Sequence, residues 1–377
     1  MVSPSACAAV EQIRVSAFVI PTDAPEADGT FAWTRTLLVT VEATSEGVTG
    51  LGYTYADAAT AKLIETVLAP RVIGREACAV SAAYRSMLDA VRNLGHQGIA
   101  AMAISAVDSA LWDLKARLLD LPLCDLLGRV RDSVSIYGSG GFTSYAVSKL
   151  EAQLGGWVEQ GILKVKMKIG SEPSADFDRV RHAREAIGER AQLFVDANGA
   201  YSRKQALAQA ERFAELGVSW FEEPVSSDDL PGLALLVTRA PASMNIAAGE
   251  YGYDLPYFER MIVTQAVDVL QADATRCGGV TGFMKVAALC DAHGIPLSAH
   301  CAPSLHLHLG CAATRLVHLE YFHDHVRIEQ RMFDGAVRPN GGALAPDRTR
   351  PGIGLELRDD PAGPRPIASV TQRKGDS

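Results

Sequence analysis

Between Lys168 and Glu320 the sequence carries seven residues whose types combine acid, base and metal-ligand chemistry: Lys168, Asp196, Glu222, Glu250, Asp273, His300 and Glu320. They recur at steps of 20 to 28 residues, an interval that approximates one strand-plus-helix unit of a barrel. Lysine, histidine and carboxylic side chains are the usual proton carriers of catalysis. Asp196, Glu222 and Glu250 would come from consecutive units and offer only oxygen donors, a set that suits Mg²⁺ better than zinc. A salt bridge explains one such acid as well as a metal does; it does not explain three in phase.

Side-chain alternation along a strand sharpens these choices. In Trp220-Phe221-Glu222-Glu223-Pro224 only one glutamate can face inward, and Glu222 is taken over Glu223. Asn198 shares a side with Asp196 if that strand extends far enough, so it is a candidate contact to substrate or metal ligands. Lys164, Lys166 and Lys168 alternate with apolar residues, and neighbouring positive charge would lower a lysine pKa toward that of a useful base. Lys168, nearest the strand end, is the expected base, Lys166 its perturbing charge and carboxylate contact, and Lys164 a structural residue. Asp273, one unit before His300, would hold the imidazole in a single tautomer and raise its basicity. Arg276 beside this pair would bind either a distal substrate carboxylate or a barrel acid. His306, His308, His318, His323 and His325 have no companion acid in phase, so no zinc site is expected there.

The elements needed to position these residues are legible as patterns. Ile13 to Val19, Thr36 to Glu42 and Gly50 to Tyr55 read as a short antiparallel sheet, with Pro21 to Trp33 as a polar loop. Helical patterns follow at Ala58 to Leu68, Val80 to Val91 and Ile99 to Leu118. After Gly128, eight short apolar segments alternate with helical ones: Val134–Tyr137, Lys164–Ile169, Leu193–Asp196, Trp220–Glu222, Ile246–Gly249, Val269–Gln271, Pro296–Ala299 and Leu316–Glu320. This predicts an α/β fold, a TIM-like barrel that a (β/α)7β arrangement would fit, preceded by an N-terminal α+β region. The expected division is 1–130 for the α+β region, 131–330 for the barrel, and 331–377 for a segment that packs back and ends in a frayed tail from Asp359.

Composition excludes several classes. With 48% hydrophobic and 21% charged residues the chain has ordinary globular usage. A net charge of −8 and no Lys/Arg run give no footprint for nucleic acid. No apolar stretch approaches a membrane span and the start lacks a secretory pattern, so a cytoplasmic protein is expected. The cysteines at 7, 78, 124, 277, 290, 301 and 311 form no C-x-x-C pair, so neither disulfides nor cysteine zinc sites are expected, and Cys277 and Cys301 are read as packing residues.

On these motifs the sequence resembles the mandelate racemase subgroup of the enolase superfamily: Lys166-x-Lys168-Ile-Gly, Val-Asp196-Ala-Asn, Trp-Phe-Glu222-Glu-Pro, Ala-Gly-Glu250, Asp273 before Gly278-Gly279-Val-Thr-Gly, the Asp273/His300 pair, and the helix from Ala103 to Lys115. The resemblance implies that the N-terminal α+β region is a capping domain, onto which residues 331–377 pack back, on a modified TIM barrel of (β/α)7β type, with Mg²⁺ on Asp196, Glu222 and Glu250. It also implies Lys168 and the His300/Asp273 dyad on opposite faces of a small carboxylate substrate, a protonated Glu320 donating to that carboxylate, and a homo-oligomer from dimer to octamer. Asp273 argues against the muconate-lactonizing subgroup, which has lysine there. The implied chemistry is removal of the α-proton of a carboxylate, an example that general accounts of catalysis give for this superfamily. Dehydration of an aldonate or aldarate to a 2-keto-3-deoxy acid is the expected outcome; the polar loop, with Asp23, Asp28 and Thr30 in place of an apolar lid, points the same way. Racemisation, sugar-lactone cycloisomerisation and non-catalytic sugar-acid binding are the alternatives.

Overall fold

The computed structural model describes residues 8–359 and 363–375. Strands β1 (Gln12–Ala27), β2 (Ala32–Ser45) and β3 (Val48–Thr54) form an antiparallel sheet. Helix α1 (Ala59–Leu63) runs through a π-helical turn at Ile64–Leu68 into α2 (Ala69–Val72), followed by α3 (Val80–Val91), α4 (Ile99–Leu118) and α5 (Leu123–Leu126). The sheet and α4 share an apolar core with Val15, Val39, Val41, Ile104 and Val107. They approach closely because Gly52 has no side chain: a Cβ there would lie 2.1 Å from the Ala106 carbonyl oxygen.

Eight parallel strands then close into a barrel: β4 (Val134–Gly140), β5 (Lys164–Lys168), β6 (Gln192–Asp196), β7 (Val218–Glu222), β8 (Asn245–Ala248), β9 (Val269–Ala272), β10 (Leu297–Ala299) and β11 (Leu316–Phe322), with β11 paired to β4. Between them lie α6 (Val147–Glu159), α7 (Asp176–Ile187), α8 (Arg203–Glu215), α9 (Leu230–Arg239), α10 (Leu255–Val263), α11 (Gly279–His293) and α12 (Pro303–Ala312). Helix α13 (His323–Met332) follows the last strand and leads to the short strands β12 (Phe333–Asp334), β13 (Ala343–Leu344) and β14 (Glu356–Leu357). Alternation divides the strand residues as a barrel requires. Val165 and Met167 join the core under the helices, while Tyr137, Phe194, Trp220, Ala247 and Val269 form their own cluster inside the ring.

Three expectations are corrected. The segment 21–33 is not a loop: β1 continues to Ala27 and pairs with β2 as far as Ala27↔Ala32, with a register break between Pro21 and Glu26. Its polar residues and prolines concealed this, because a ladder is held by backbone groups and prolines are tolerated at breaks. The tail does not simply fray: β15 (Ala368–Arg373) pairs antiparallel with β1 and extends the cap sheet. Cys78 is disulfide-bonded, against the expectation that no disulfide forms; single-residue spacing carries no trace of such a pairing.

The cap is keyed to the barrel by two buried acids of α4. Asp113 accepts from the amides of Leu51 (2.7 Å) and Ile353 (2.6 Å) and from Arg117 Nε (2.7 Å). Asp108 accepts from Thr281 N (2.8 Å) and Oγ1 (2.7 Å), satisfying an amide in the first turn of α11, and Ser105 Oγ accepts from Gly278 N at 2.9 Å. Thus α4 orients the start of α11, directly after the loop that bears Asp273. Burial pushes the Asp108 carboxyl up to about 7, against the hydrogen bonds from Thr281. With the folded pKa raised, its stabilising contribution is complete below the unfolded value of about 4 and is lost as pH rises through the folded one. The melting temperature is therefore expected to fall from about pH 4 to about pH 7, and Asp108→Asn to flatten part of that fall. Thermal melts across this range check it, and an identical slope in both proteins would show Asp108 to be irrelevant.

Candidate active site

Strand register brings the chemistry together. Lys168, Asp196 and Glu222 are level on neighbouring strands, with Phe194 and Trp220 in the layer below at the level of Lys166. Glu250 stands two residues past the end of β8. All three acids are buried, and one oxygen from each lies within 4.8 Å of the others. Both lysines point into this cluster. Lys168 Nζ lies 2.5 Å from Asp196 Oδ2, while Lys166 Nζ contacts Glu222 Oε1 and reaches Glu320 Oε1 at 2.8 Å and Asp196 Oδ2 at 3.2 Å.

The second group is built on β9 and β10. Asp273 Oδ2 accepts at 2.8 Å from His300 Nδ1, and Asp273 Oδ1 accepts from Thr275 N at 2.7 Å. This leaves His300 Nε2 facing Glu250 Oε2 and Cys301 Sγ, each at 3.2 Å, and Glu320 Oε2 at 3.6 Å. Burial opposes the imidazolium, yet Cys301, Glu250, Glu320 and the bond to Asp273 hold its pKa well above the usual value. His306 is structural: its Nε2 accepts from Ala274 N (2.8 Å) and its Nδ1 lies 2.7 Å from Cys301 O, so it braces the loops carrying the dyad.

The donor set fits a divalent cation. Six buried carboxyl groups (Asp196, Glu222, Glu223, Glu250, Asp273 and Glu320) face four cationic groups (Lys166, Lys168, Arg276 and His300), an excess of two negative charges. The strain of that excess is visible in the acids. Burial and Asp196 push Glu222 up to about 8, and burial and Glu250 push Glu223 well above the carboxylate range. Glu223 Oε1 and Asn198 Oδ1 are buried without a hydrogen-bond partner. Two units of positive charge placed among these oxygens would balance the cluster.

Electrostatic expectations for two residues are corrected. Lys168 does not have a lowered pKa: burial and Lys166 act in that direction, but Asp196 outweighs them and it is raised; Lys166, the expected perturbing charge, is itself raised by Glu222 and Glu320 against its burial. Glu320 is not protonated; Lys166, His300 and Lys168 overcome its burial and hold it ionised well below its usual pKa. The lowered pKa belongs instead to Lys164, through burial, at the opposite end of β5, where Nζ donates to Ser135 Oγ at 3.0 Å.

A cavity of about 430 Å³ opens above the cluster and is lined by Lys168, Asn198, Glu250, Arg276, His300 and Glu320. Asn198 adopts φ +46° and donates its amide to Asp196 Oδ1 at 3.0 Å. Arg276 is committed to the protein, donating to the Glu250 carbonyl at 3.0 Å and lying 3.7 Å from Asp273 Oδ2 and 3.8 Å from Glu250 Oε1. The rest of the wall was not singled out from the sequence: Phe31, Trp33, Arg35 and Tyr55 come from the cap, Phe322 ends β11 and His325 lies on α13. The lid is therefore aromatic as well as polar, and Asp28 is turned inward on its own turn, accepting from Thr30 N at 2.6 Å and Phe31 N at 2.7 Å. Among the described residues, no helix is long and apolar enough to cross a membrane.

Comparison with known proteins agrees with this architecture. Residues 15–128 match the family model of the mandelate racemase/muconate lactonizing enzyme N-terminal domain, and residues 149–361 that of the enolase C-terminal domain-like family. The chain is 33% identical over 325 residues to L-talarate/galactarate dehydratase of Salmonella typhimurium, spanning 83% of this chain and 81% of that one. The structure of that enzyme with Mg and L-lyxarohydroxamate superposes with a TM-score of 0.89 at 28% identity, over 99% of this chain and 97% of that one. A 3,6-anhydro-α-L-galactonate cycloisomerase of Streptomyces coelicolor is 32% identical over 356 residues, 92% of this chain and 97% of that one. A mandelate racemase/muconate lactonizing enzyme-like protein from Rubrobacter xylanophilus is 54% identical with a TM-score of 0.91, over 93% of this chain and 97% of that one.

Proposed function

The chain belongs to the mandelate racemase/muconate lactonizing enzyme family of the enolase superfamily, and on that premise we propose that it is a Mg²⁺-dependent hydro-lyase that dehydrates an acid sugar. One observation carries the reading: a single cavity presents an amine on β5 and a carboxylate-anchored imidazole on β10, above three clustered carboxylates. Asp196, Glu222 and Glu250 would hold the Mg²⁺, which would supply positive charge against the enediolate; with these acids so engaged, Lys168 and Lys166 would be freed from them. Strands β5 and β10 are not neighbours in the ring, so their side chains address a substrate from different sides.

Lys168 Nζ removes the proton next to the substrate carboxylate, and Lys166 offsets the charge that builds on that carboxylate. His300 Nε2 gives its proton to the departing β-hydroxyl oxygen; the C–O bond breaks, water leaves, and the enol becomes a 2-keto-3-deoxy acid. Asp273 keeps His300 Nδ1 engaged, so that the transferable proton sits on the nitrogen facing the cavity. The relatives named as dehydratases support this outcome. The near-full-length likeness to a cycloisomerase favours an intramolecular sugar-acid rearrangement as the second reading. Incubating the purified protein with Mg²⁺ and a panel of acid sugars, and assaying 2-keto acid, tests the proposal. Turnover of none of them, with α-proton exchange into an aryl or alkyl hydroxy acid, would falsify it.

The cap wall suggests which sugars. Asp28 is tied into its turn, and Asp57 Oδ1 accepts from Ala59 N at 2.9 Å. Arg35 is exposed at the cavity wall and, among the described residues, has no ion-pair partner. A free guanidinium on the cap side of the cavity that Lys168 also lines suits a second carboxylate, hence an aldarate. Such a contact contributes about 1.5–3 kcal/mol, so Arg35→Gln is expected to raise KM for aldarates by about 10- to 100-fold and leave aldonates nearly unaffected. Equal effects on both classes would remove the diacid assignment.

A further inference from the structure

A second group of ligand-type residues lies at the rim of the mouth, outside the site described above. Asp23 and Glu26 stand on β1, around its register break with β2, and His323 opens α13 directly after the wall residue Phe322. One ligand atom from each, two carboxylate oxygens and an imidazole nitrogen, lie within 4.8 Å of one another. His323 Nε2 is 3.0 Å from Asp23 Oδ2.

Glu26 is the unusual member. It is 1% exposed; Oε2 accepts from Trp33 Nε1 at 2.8 Å, whereas Oε1 is buried with no partner. Neighbouring cations are engaged elsewhere, Arg327 with Asp324 and Lys149 over the ring of Tyr145. Burial and the nearby Asp324 push the Glu26 carboxyl up to about 8. A buried carboxyl with an open oxygen beside an imidazole and a second acid is an incomplete coordination shell. The barrel-phase reading found no acid for His323 because its partners come from the cap.

We propose that Asp23, Glu26 and His323 form a second divalent-cation site that fastens the cap hairpin to the start of α13. One imidazole nitrogen with two carboxylate oxygens suits a borderline first-row ion such as Zn²⁺, Co²⁺ or Mn²⁺, with water completing the shell, better than Mg²⁺. Phe31 and Trp33 of the same hairpin wall the cavity, so an ion here holds the lid against the barrel.

The test is a Co²⁺ titration of the full chain in saturating Mg²⁺, followed by visible absorption and by tryptophan emission, since Trp33 donates to a ligand of the site. One equivalent is expected to bind, to persist in Glu222→Gln, and to weaken by at least about tenfold in both Glu26→Gln and His323→Ala. Melting temperatures of the two rim variants without added Co²⁺ show that they are folded. No equivalent beyond the Glu222-dependent one, or one of unchanged affinity in folded rim variants, overturns the proposal. Because no acid-sugar turnover enters this measurement, its failure leaves the dehydratase reading standing, and the converse.

Discussion

Lys168→Ala is expected to abolish both turnover and exchange of the α-proton with solvent, whereas His300→Ala abolishes turnover and leaves exchange largely intact. The asymmetry follows from the assigned order of events. Lys168 takes the proton from carbon, and His300 acts afterwards on the leaving hydroxyl. Loss of a positioned proton carrier costs about 10²- to 10⁴-fold, so both variants should be almost inactive in the 2-keto acid assay. Proton NMR of the substrate in heavy water, with Mg²⁺ present, separates them. If His300→Ala lost exchange while Lys168→Ala kept it, the two groups would have the opposite roles. If each variant lost exchange from only one of two enantiomeric substrates, the enzyme would be a racemase or epimerase.

The second large effect is expected at Glu222. Its carboxylate lies between Asp196 and the Trp220 indole, whose Nε1 donates to Glu222 Oε2 at 2.9 Å, and it touches Lys166. Glu222→Gln removes one third of the acid set, and several kcal/mol of transition-state stabilisation go with the ion, a fall in kcat of about 10³-fold or more. Mg²⁺ should also stabilise the wild-type fold, by about 2.7 kcal/mol at a hundredfold excess over its Kd, through the excess negative charge it balances. Glu222→Gln should lose most of that thermal shift while melting near the wild-type temperature in EDTA. A variant that keeps the full Mg²⁺ shift would show that the three acids do not share an ion.

How much of this was legible depended on whether the signal was local. The barrel was readable because a chemical residue stands within two residues of the end of seven of its strands and the interval repeats; β5 and β7 differ from their sequence-read limits by only one or two residues at an end. The helix at Ile99–Leu118 coincides with its apolar pattern. Ladder partners distant in sequence left no such trace. β15 pairs with β1 across more than 350 residues through backbone groups, and nothing in Ala368–Arg373 names its partner. Arg35, Tyr55 and His325 became wall residues only because the cap hairpin and α13 meet over the barrel mouth.

Residue order alone determined the fold class and the level at which each acid, lysine and imidazole would stand, since strand alternation and the strand–helix period are properties of neighbouring residues; it did not show that Glu223, at φ +39° just past β7, is buried among the same carboxylates as Glu222. Tertiary structure decided the charge states. Whether Lys168 is pulled down by Lys166 or up by Asp196, and whether Glu320 carries a proton, depends on distances of 2.5 to 3.6 Å across strands, where Coulomb energies change steeply and no local pattern records them.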